Sequence, residues 1–200
     1  MADSFSALLR HHLSGRVIVD EEQVAALERH YELLTRWNRR LNLTSIREME
    51  EGVIRHYCEC LFFASLLPRG ARVLDLGSGA GFPGFPIAVL NSDSFVSLLE
   101  SHQRKAVFLR EAVRAMSNVE VLGMRASEVA GSWDLLVSRA VTPADVLRQV
   151  PRLAARTGIL VGEDFLQKRA QFPLIQWEEP VKVPWGENRW AVFGMFHVER

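Results

Sequence analysis

The residues Val73-Leu74-Asp75-Leu76-Gly77-Ser78-Gly79-Ala80-Gly81-Phe82-Pro83-Gly84 limit what this chain can become more than any other stretch. An apolar run ends in an acid, glycines follow at Gly77, Gly79, Gly81 and Gly84, and a second apolar run, Phe85 to Leu90, begins at once. That order reads as strand, tight turn, helix. Glycines in such a turn admit left-handed backbone and let a ligand approach the main chain with no Cβ in the way. A lone glycine there marks an ordinary connecting loop. A cluster directly after a buried-looking strand points to a nucleotide-type cofactor site.

The remaining composition permits such a site and excludes several other classes. A chain of 200 residues, 48% of them hydrophobic, holds one domain with a sizeable core and room for a small appendage. Formal net charge is +0, so no global field draws the protein to nucleic acid or membrane, and any polyanion must be held by local patches. Cys58 and Cys60 are the two cysteines. Without partners elsewhere they make neither a disulfide framework nor a zinc site, and no metal is expected. Met1-Ala2-Asp3-Ser4-Phe5 has no basic region followed by an apolar core, and no apolar run approaches the length of a membrane span. The cytoplasm is the expected location, with no membrane partner.

Two rhythms divide the chain. Before Gly70 the spacing is helical. Residues 4–14 place Phe5, Leu8, Leu9 and Leu13 on one side, and Gly15 stops them. Asp20 and Gln23 have capping-box spacing, and behind them Val24, Leu27, Tyr31, Leu34 and Leu41 form an amphipathic stripe. A third helix is expected from about Glu48 to Leu67, ended by Pro68-Arg69-Gly70. After Gly70, strand-like and helix-like runs alternate. Strands are expected at 72–76, 94–100, 119–122, 133–138 and 159–161, with helices at 103–116 (Val107, Phe108, Ala112 and Ala115 inward) and 143–154, the latter ending before Gly158. The end reads as an antiparallel hairpin, 176–183 with 189–198, turning at Pro184-Trp185-Gly186. The expected fold is therefore α/β: a doubly wound, mostly parallel Rossmann-like sheet. A helical N-terminal cap over residues 1–70 packs on a body at 71–200.

Two glycine patterns overlap in the loop. Gly79-Ala80-Gly81-Phe82-Pro83-Gly84 has the letters of the dinucleotide fingerprint, but its first glycine does not directly follow the strand. Asp75-Leu76-Gly77-Ser78-Gly79-Ala80-Gly81 does follow it, in a form that suits S-adenosylmethionine (SAM). That ligand has a zwitterionic amino-acid end and no pyrophosphate. Asp75 is placed for the ammonium, with Gly77 and Gly79 lining the turn. Glu100 closes the second expected strand, where an acid reaches the ribose hydroxyls of adenosine. It serves NAD and SAM equally, so an NAD-dependent oxidoreductase stays open as the alternative at this point.

A longer set of residues narrows the choice. The stretch Asp75 to Gly84, then Leu98-Leu99-Glu100-Ser101, Lys105, Phe108-Leu109, Arg125-x-x-Glu128 and Ser138-Arg139-Ala140, preceded by Trp37-Asn38, Asn42-Leu43-Thr44 and Arg55-His56, resembles the glucose-inhibited division protein B family. Its members are bacterial class I SAM-dependent methyltransferases that methylate N7 of a guanine in 16S (small-subunit) ribosomal RNA. The resemblance spans about residues 30–145. It implies SAM as cofactor, contacted by Gly77, Phe82, Glu100, Ser101, His102, Ala126, Ser127 and Arg139. It also implies small-subunit ribosomal RNA as partner; with zero net charge, weak binding to naked RNA and a substrate within a ribosomal particle are expected, and a monomeric enzyme is expected. Two departures stand out. The family follows its histidine with Asp-Ser, where this chain has Glu59-Cys60. Near the fifth strand the family carries Lys-Gly, where this chain has Glu163-Asp164 after Gly162. A SAM-binding, ribosome-associated protein without activity is therefore a second alternative.

Methyl transfer to N7 uses an existing lone pair, so no general base is required and no catalytic residue is assigned. The Asn-Pro-Pro-Tyr type of motif that accompanies methylation of exocyclic amines is absent after the fourth strand, where Ser138-Arg139-Ala140-Val141 stands. Arg139 is expected to orient the cofactor or a substrate acceptor. RNA contacts are expected at Arg36, Arg39 and Arg40 around the Asn38 turn, at Arg55 and His56, and at Arg104 and Lys105 on the helix after Glu100.

Overall fold

The computed structural model describes residues 4–196. Met1-Ala2-Asp3 and the last expected strand positions, His197 and Val198, lie outside the described residues. The chain begins with α1 (Phe5–Leu13) and α2 (Glu21–Asn38). Asp20 and Gln23 form the reciprocal cap expected of them: the Gln23 backbone N–H donates to the Asp20 carboxylate at 2.8 Å and the Asp20 N–H to the Gln23 carboxamide at 3.0 Å. The third helix is not regular. α3 (Met49–Gly52) runs into a π-helical segment, Val53–Cys58, and on into α4 (Glu59–Ser65).

The strands and helices of the body then alternate as β1 (Arg72–Leu76), α5 (Gly84–Leu90), β2 (Phe95–Leu99), α6 (Gln103–Ala112), β3 (Val119–Leu122), β4 (Trp133–Arg139), α7 (Pro143–Leu153) and β5 (Ala154–Val161). A short α8 (Asp164–Lys168) precedes β6 (Ile175–Trp177), β7 (Val181–Lys182) and β8 (Trp190–Phe196). Strand order is β3-β2-β1-β4-β5-β8-β6, with β7 also on β8. The pairings from β3 through β5 are parallel, and β8 runs antiparallel to β5.

Parallel strands covered on both faces read as continuous apolar runs, and the two-residue period sorts them. Val73, Val96, Leu98, Leu135 and Val137 share one cluster with α1, α2, the π-helical segment, α4, α5 and α6. Leu74, Leu76, Leu99 and Leu136 join α7 and Phe165 on the other face. The first cluster does not stop at Gly70: Phe5, Leu27 and Tyr57 belong to it together with Phe82 and Phe85.

Several local expectations are corrected. α6 buries Ala106, Phe108 and Leu109, and its C-cap Val113 is buried too, whereas Val107 is 49% exposed and Ala115 faces solvent. The helix ends at Ala112, so the true stripe is offset from the one chosen by hydrophobicity alone. Gly158 does not end a helix. It lies inside β5, which starts at Ala154, and a Cβ there would come within 2.7 Å of the Phe193 ring, so the glycine serves close packing of neighbouring strands. The first arm of the terminal hairpin is broken. β6 and β7 both pair β8 but are separated by Glu178-Glu179-Pro180, because proline has no N–H for the ladder.

Candidate functional site

The loop from Gly77 to Pro83 joins β1 to α5 at the carboxyl ends of the strands. Its Gly77 and Ser78 N–H groups donate to the Leu99 carbonyl at 2.9 and 3.0 Å, tying it to β2. Gly77 takes φ +76°, and a Cβ there would strike Val141 Cγ2 at 2.6 Å, so only glycine fits. A Cβ at Gly79 would meet no heavy atom closer than the Gly77 carbonyl at 3.8 Å, which leaves that side of the loop open.

Asp75 is fully buried beneath the loop. Its Oδ2 accepts the Gly84 N–H at the start of α5 at 2.9 Å, while Oδ1 has no hydrogen-bond partner. Burial pushes its pKa up to about 7, opposed by the Gly84 N–H and the nearby Ser78 hydroxyl, which donates to the Asp75 backbone carbonyl at 3.0 Å, and helped by Glu100. Glu100, also buried, bridges the loop and the next strand end: Gly79 donates to Oε2 at 3.0 Å and His102 to Oε1 at 2.7 Å, both through backbone N–H groups. An ionised carboxylate has about four acceptor positions, so capacity remains for hydroxyl donors. Ser101 and His102 are exposed beside it. Ser101, Gln103, Gly123, Met124, Arg125 and Glu128 line a cavity of about 570 Å³. Ala126 and Ser127 lie in the adjoining 3-10 turn, Ala126–Glu128, where the Arg125 N–H donates to Glu128 at 2.7 Å. An orphaned buried acceptor, an open glycine cradle and a carboxylate with spare lone pairs suit a cationic amino acid and a ribose. SAM carries both.

Two histidines brace this site from the N-terminal helices. His30 of α2 lies 3.0 Å from the Ala80 carbonyl through Nε2 and 2.8 Å from the Tyr57 hydroxyl through Nδ1. A carbonyl only accepts, so Nε2 carries the proton and Tyr57 donates to Nδ1. Burial lowers the His30 pKa to about 3. His56, on the π-helical segment, stacks on Phe82 with ring centroids 4.8 Å apart. Arg139 Nη1 donates to its Nδ1 at 3.2 Å, so Nε2 is the protonated nitrogen facing Thr44 Oγ1 at 2.7 Å. Burial, with Arg139, His30 and Arg55 adding to it, brings the His56 pKa to about 3.

Arg139 ends β4, and the following Ala140 adopts φ +60°, a left-handed conformation uncommon outside glycine. Its guanidinium reaches His56, Cys60 Sγ at 3.8 Å and Glu59 at 3.8 Å. Sequence reasoning missed Glu59 as a site residue and missed Arg189 altogether. Both pairs expected to depart from the family pattern fall here. Glu59 and Cys60 are Arg139's neighbours, and Glu163 and Asp164 line a cavity of about 710 Å³ at the ends of β4 and β5. Lys168 and Arg189 line the same cavity and bring cations beside those acids. Cys58 and Cys60 are buried free thiols, both pushed up to about 12 by burial.

The basic residues divide into groups. Arg39, Arg47 and His56 border a recess of about 140 Å³ built on Asn38, whose carboxamide oxygen accepts the Leu43 and Thr44 N–H groups at 2.7 and 3.0 Å. Arg40 is exposed nearby. Arg36 sits 3.6 Å from Glu111 of α6. Arg104 is exposed and Lys105 half-buried on α6. Trp177, Trp185 and Trp190 are half-buried and pack on the body. Among the described residues, no group of histidine, cysteine and acidic side chains is placed to hold a metal ion, and no helix is long and apolar enough to cross a membrane.

This architecture has solved counterparts. A SAM-dependent methyltransferase from Aquifex aeolicus superposes with a TM-score of 0.59 at 19% identity, covering 74% of this chain and 93% of that one. The fold is that of the class I SAM-dependent methyltransferases. Within that class, the GidB family, described as rRNA small subunit methyltransferase G, matches residues 23–182, and the chain belongs to it. The ribosomal RNA small subunit methyltransferase G of Dichelobacter nodosus is 42% identical over 128 residues, which cover 62% of this chain and 61% of that protein. Against several such relatives the chain spans about three fifths of their length. The counterpart from Roseiflexus castenholzii aligns over 92% of this chain and 88% of its own length at 33% identity.

Proposed function

We propose that this protein is a SAM-dependent methyltransferase that methylates N7 of a guanine in 16S ribosomal RNA, within a small-subunit particle in the cytoplasm and as a monomer. The observation that carries the reading is the glycine loop flanked by Asp75 and Glu100 at adjacent strand ends, in a chain of the GidB family.

The bound cofactor supplies an electrophilic methyl group on a sulfonium. The chain's own residues position the partners. Asp75 offers its unpaired Oδ1 to the ammonium, and Gly77 and Gly79 keep the loop low enough for close approach. Glu100 takes the ribose hydroxyls while holding the loop through Gly79. Ser101, His102, Ala126 and Ser127 border the adenine end, and Phe82, backed by His56, is an apolar wall. Arg139 fixes the far end of the site. The cavity at the ends of β4 and β5 is roomy enough for an unstacked base. Guanine N7 attacks with its own lone pair, so alignment and exclusion of water supply the catalysis and no base is needed. RNA contacts fall to Arg36, Arg39, Arg40, Arg55, His56, Arg104 and Lys105.

The deciding experiment is mass mapping of 16S ribosomal RNA from cells with and without the gene. Loss of one N7-methylguanine is the expected result, and an unchanged inventory sinks the reading in favour of an inert SAM-binding protein. Calorimetry adds the cofactor: S-adenosylhomocysteine is expected to bind, and binding of NAD alone points to an oxidoreductase.

A further inference from the structure

Glu59 is an unusual buried carboxylate. Its side chain is 1% exposed, and neither oxygen makes a hydrogen bond. Three guanidinium groups surround it instead, Arg55 at 3.3 Å and Arg189 at 3.9 Å from Oε1, and Arg139 at 3.8 Å from Oε2. They arrive from three separate places: the π-helical segment, the end of β4 and the residue before β8. His56 adds no charge, because its Nδ1 accepts from Arg139. Three cations against one anion leave a surplus of two positive charges.

The surplus lies toward the surface. Arg139 is 11% exposed, whereas Arg55 and Arg189 are 33% and 30% exposed. Burial pulls Arg189 below its ordinary range; Glu59 opposes this, and Arg55 and Arg139 add to it. The other acids nearby lie outside the ion-pair shell of the three arginines. Glu50, beside Arg55 in a shallow groove, is paired with His12 at 2.9 Å. Glu48 and Glu51 line that groove, and Glu163 and Asp164 line the cavity on the Arg189 side. None of these acids forms an ion pair with the three arginines among the described residues.

We propose that Arg55 and Arg189, gathered by the buried Glu59 with Arg139 beneath them, form a receptor for one phosphodiester of the substrate RNA. Two adjacent guanidinium forks match the two non-bridging oxygens of a phosphate. A cofactor carboxylate is the other anion within this chemistry, and position favours the RNA. Trp190 pairs with Val161, so Arg189 lies beyond β5, on the opposite side of β4 from β1 and Glu100. Arg189 also lines the β4–β5 cavity, which puts the phosphate beside the entering base. The inference rests on the proposed ribosomal RNA substrate.

Binding of small ribosomal subunits, purified from cells lacking the gene, is measured by co-sedimentation across a salt series for wild type, Arg55→Gln, Arg189→Gln and the double variant. Each single variant is expected to weaken binding about tenfold and to reduce the salt slope by about 0.7 to 0.9, the value of one phosphate contact. The double variant should fall short of the product of the single effects, since both arginines hold one group. S-adenosylhomocysteine affinity should stay near wild type, whereas the thermal midpoint should fall because each substitution strips a cation from the buried Glu59, so binding is compared at a temperature where every variant is folded. Unchanged subunit binding, or independent multiplicative effects, overturns the receptor. Lost S-adenosylhomocysteine binding with intact subunit binding assigns the anion to the cofactor and overturns it as well. Failure of wild type to methylate the subunits defeats the proposed function instead, a separate readout from binding.

Discussion

The proposed contact of Asp75 with the cofactor would couple the fold to its ligand through a single residue. Ionising it in the folded protein is costly because burial opposes the charge and only one oxygen is hydrogen-bonded. In the proposed complex the ligand ammonium supplies the missing partner, stabilises the anion and lowers its pKa from about 7. Binding therefore releases a proton below that value. Affinity for S-adenosylhomocysteine should rise about tenfold as pH increases from 5.5 to 7 and level off above, since one linked proton changes affinity by at most about tenfold per unit. Asp75→Asn should bind more weakly at pH 8 and lose most of this dependence. Calorimetry in buffers of different ionisation enthalpy checks both. A wild-type profile as flat as that of the variant removes Asp75 from the ammonium. The position of the residue was legible in the sequence, as an acid ending an apolar run before glycines, and its bond to the Gly84 N–H at the start of α5 is the helix-end use open to such an acid. Its unpaired oxygen was not legible, because pairing depends on what α5 and the loop place around it.

At the scale of elements, α2 acts as a prop for the glycine loop. His30 joins the Ala80 carbonyl to Tyr57 and stacks on Phe85 with ring centroids 4.1 Å apart. His30→Leu keeps an apolar filling but leaves a carbonyl and a hydroxyl without their partner. At pH 7.5 it should cost about 2–6 kcal/mol in urea unfolding, from two buried groups at about 1–3 kcal/mol each, and should weaken S-adenosylhomocysteine binding. Stability within about 0.5 kcal/mol of wild type, the range of neutral surface changes, would show that the loop needs no such prop. The helical stripe of α2 was readable from its spacing, yet His30 gave no sign of its role. A histidine on an apolar helix face looks the same whether it packs or holds a loop. The π-helical segment was likewise hidden. Periodicity reports a helix through 48–67, but the wider turn that presents Arg55 and His56 arises from packing against Phe82 and Arg139.

For the whole molecule, one hydrophobic cluster runs from α1 and α2 into the face of the sheet that carries the loop, so site geometry and global stability are linked. The pH response follows. His30 is neutral in the folded state, with a pKa of about 3 against an ordinary 6.5. The unfolded chain takes up its proton first, so the stability this residue contributes is complete above about 6.5 and is lost as pH falls toward 3. The gap between wild type and His30→Leu should narrow by about 1.4 kcal/mol per pH unit below 6.5, one proton's worth. A gap constant from pH 7.5 to 5 in urea titrations contradicts the buried neutral histidine. The sequence by itself determined the alternating architecture, the parallel sheet, the glycine loop after β1 and the placement of Asp75 and Glu100 at neighbouring strand ends. Those features follow from local periodicity, turn chemistry and the rule that parallel strands expose ligand sites at their carboxyl ends. Only the tertiary structure decided that His30 lies under the loop and that Arg55, Arg139 and Arg189 converge on Glu59. Spacing tells which residues share a face of one element, whereas convergence depends on which faces meet when the helices close over the sheet.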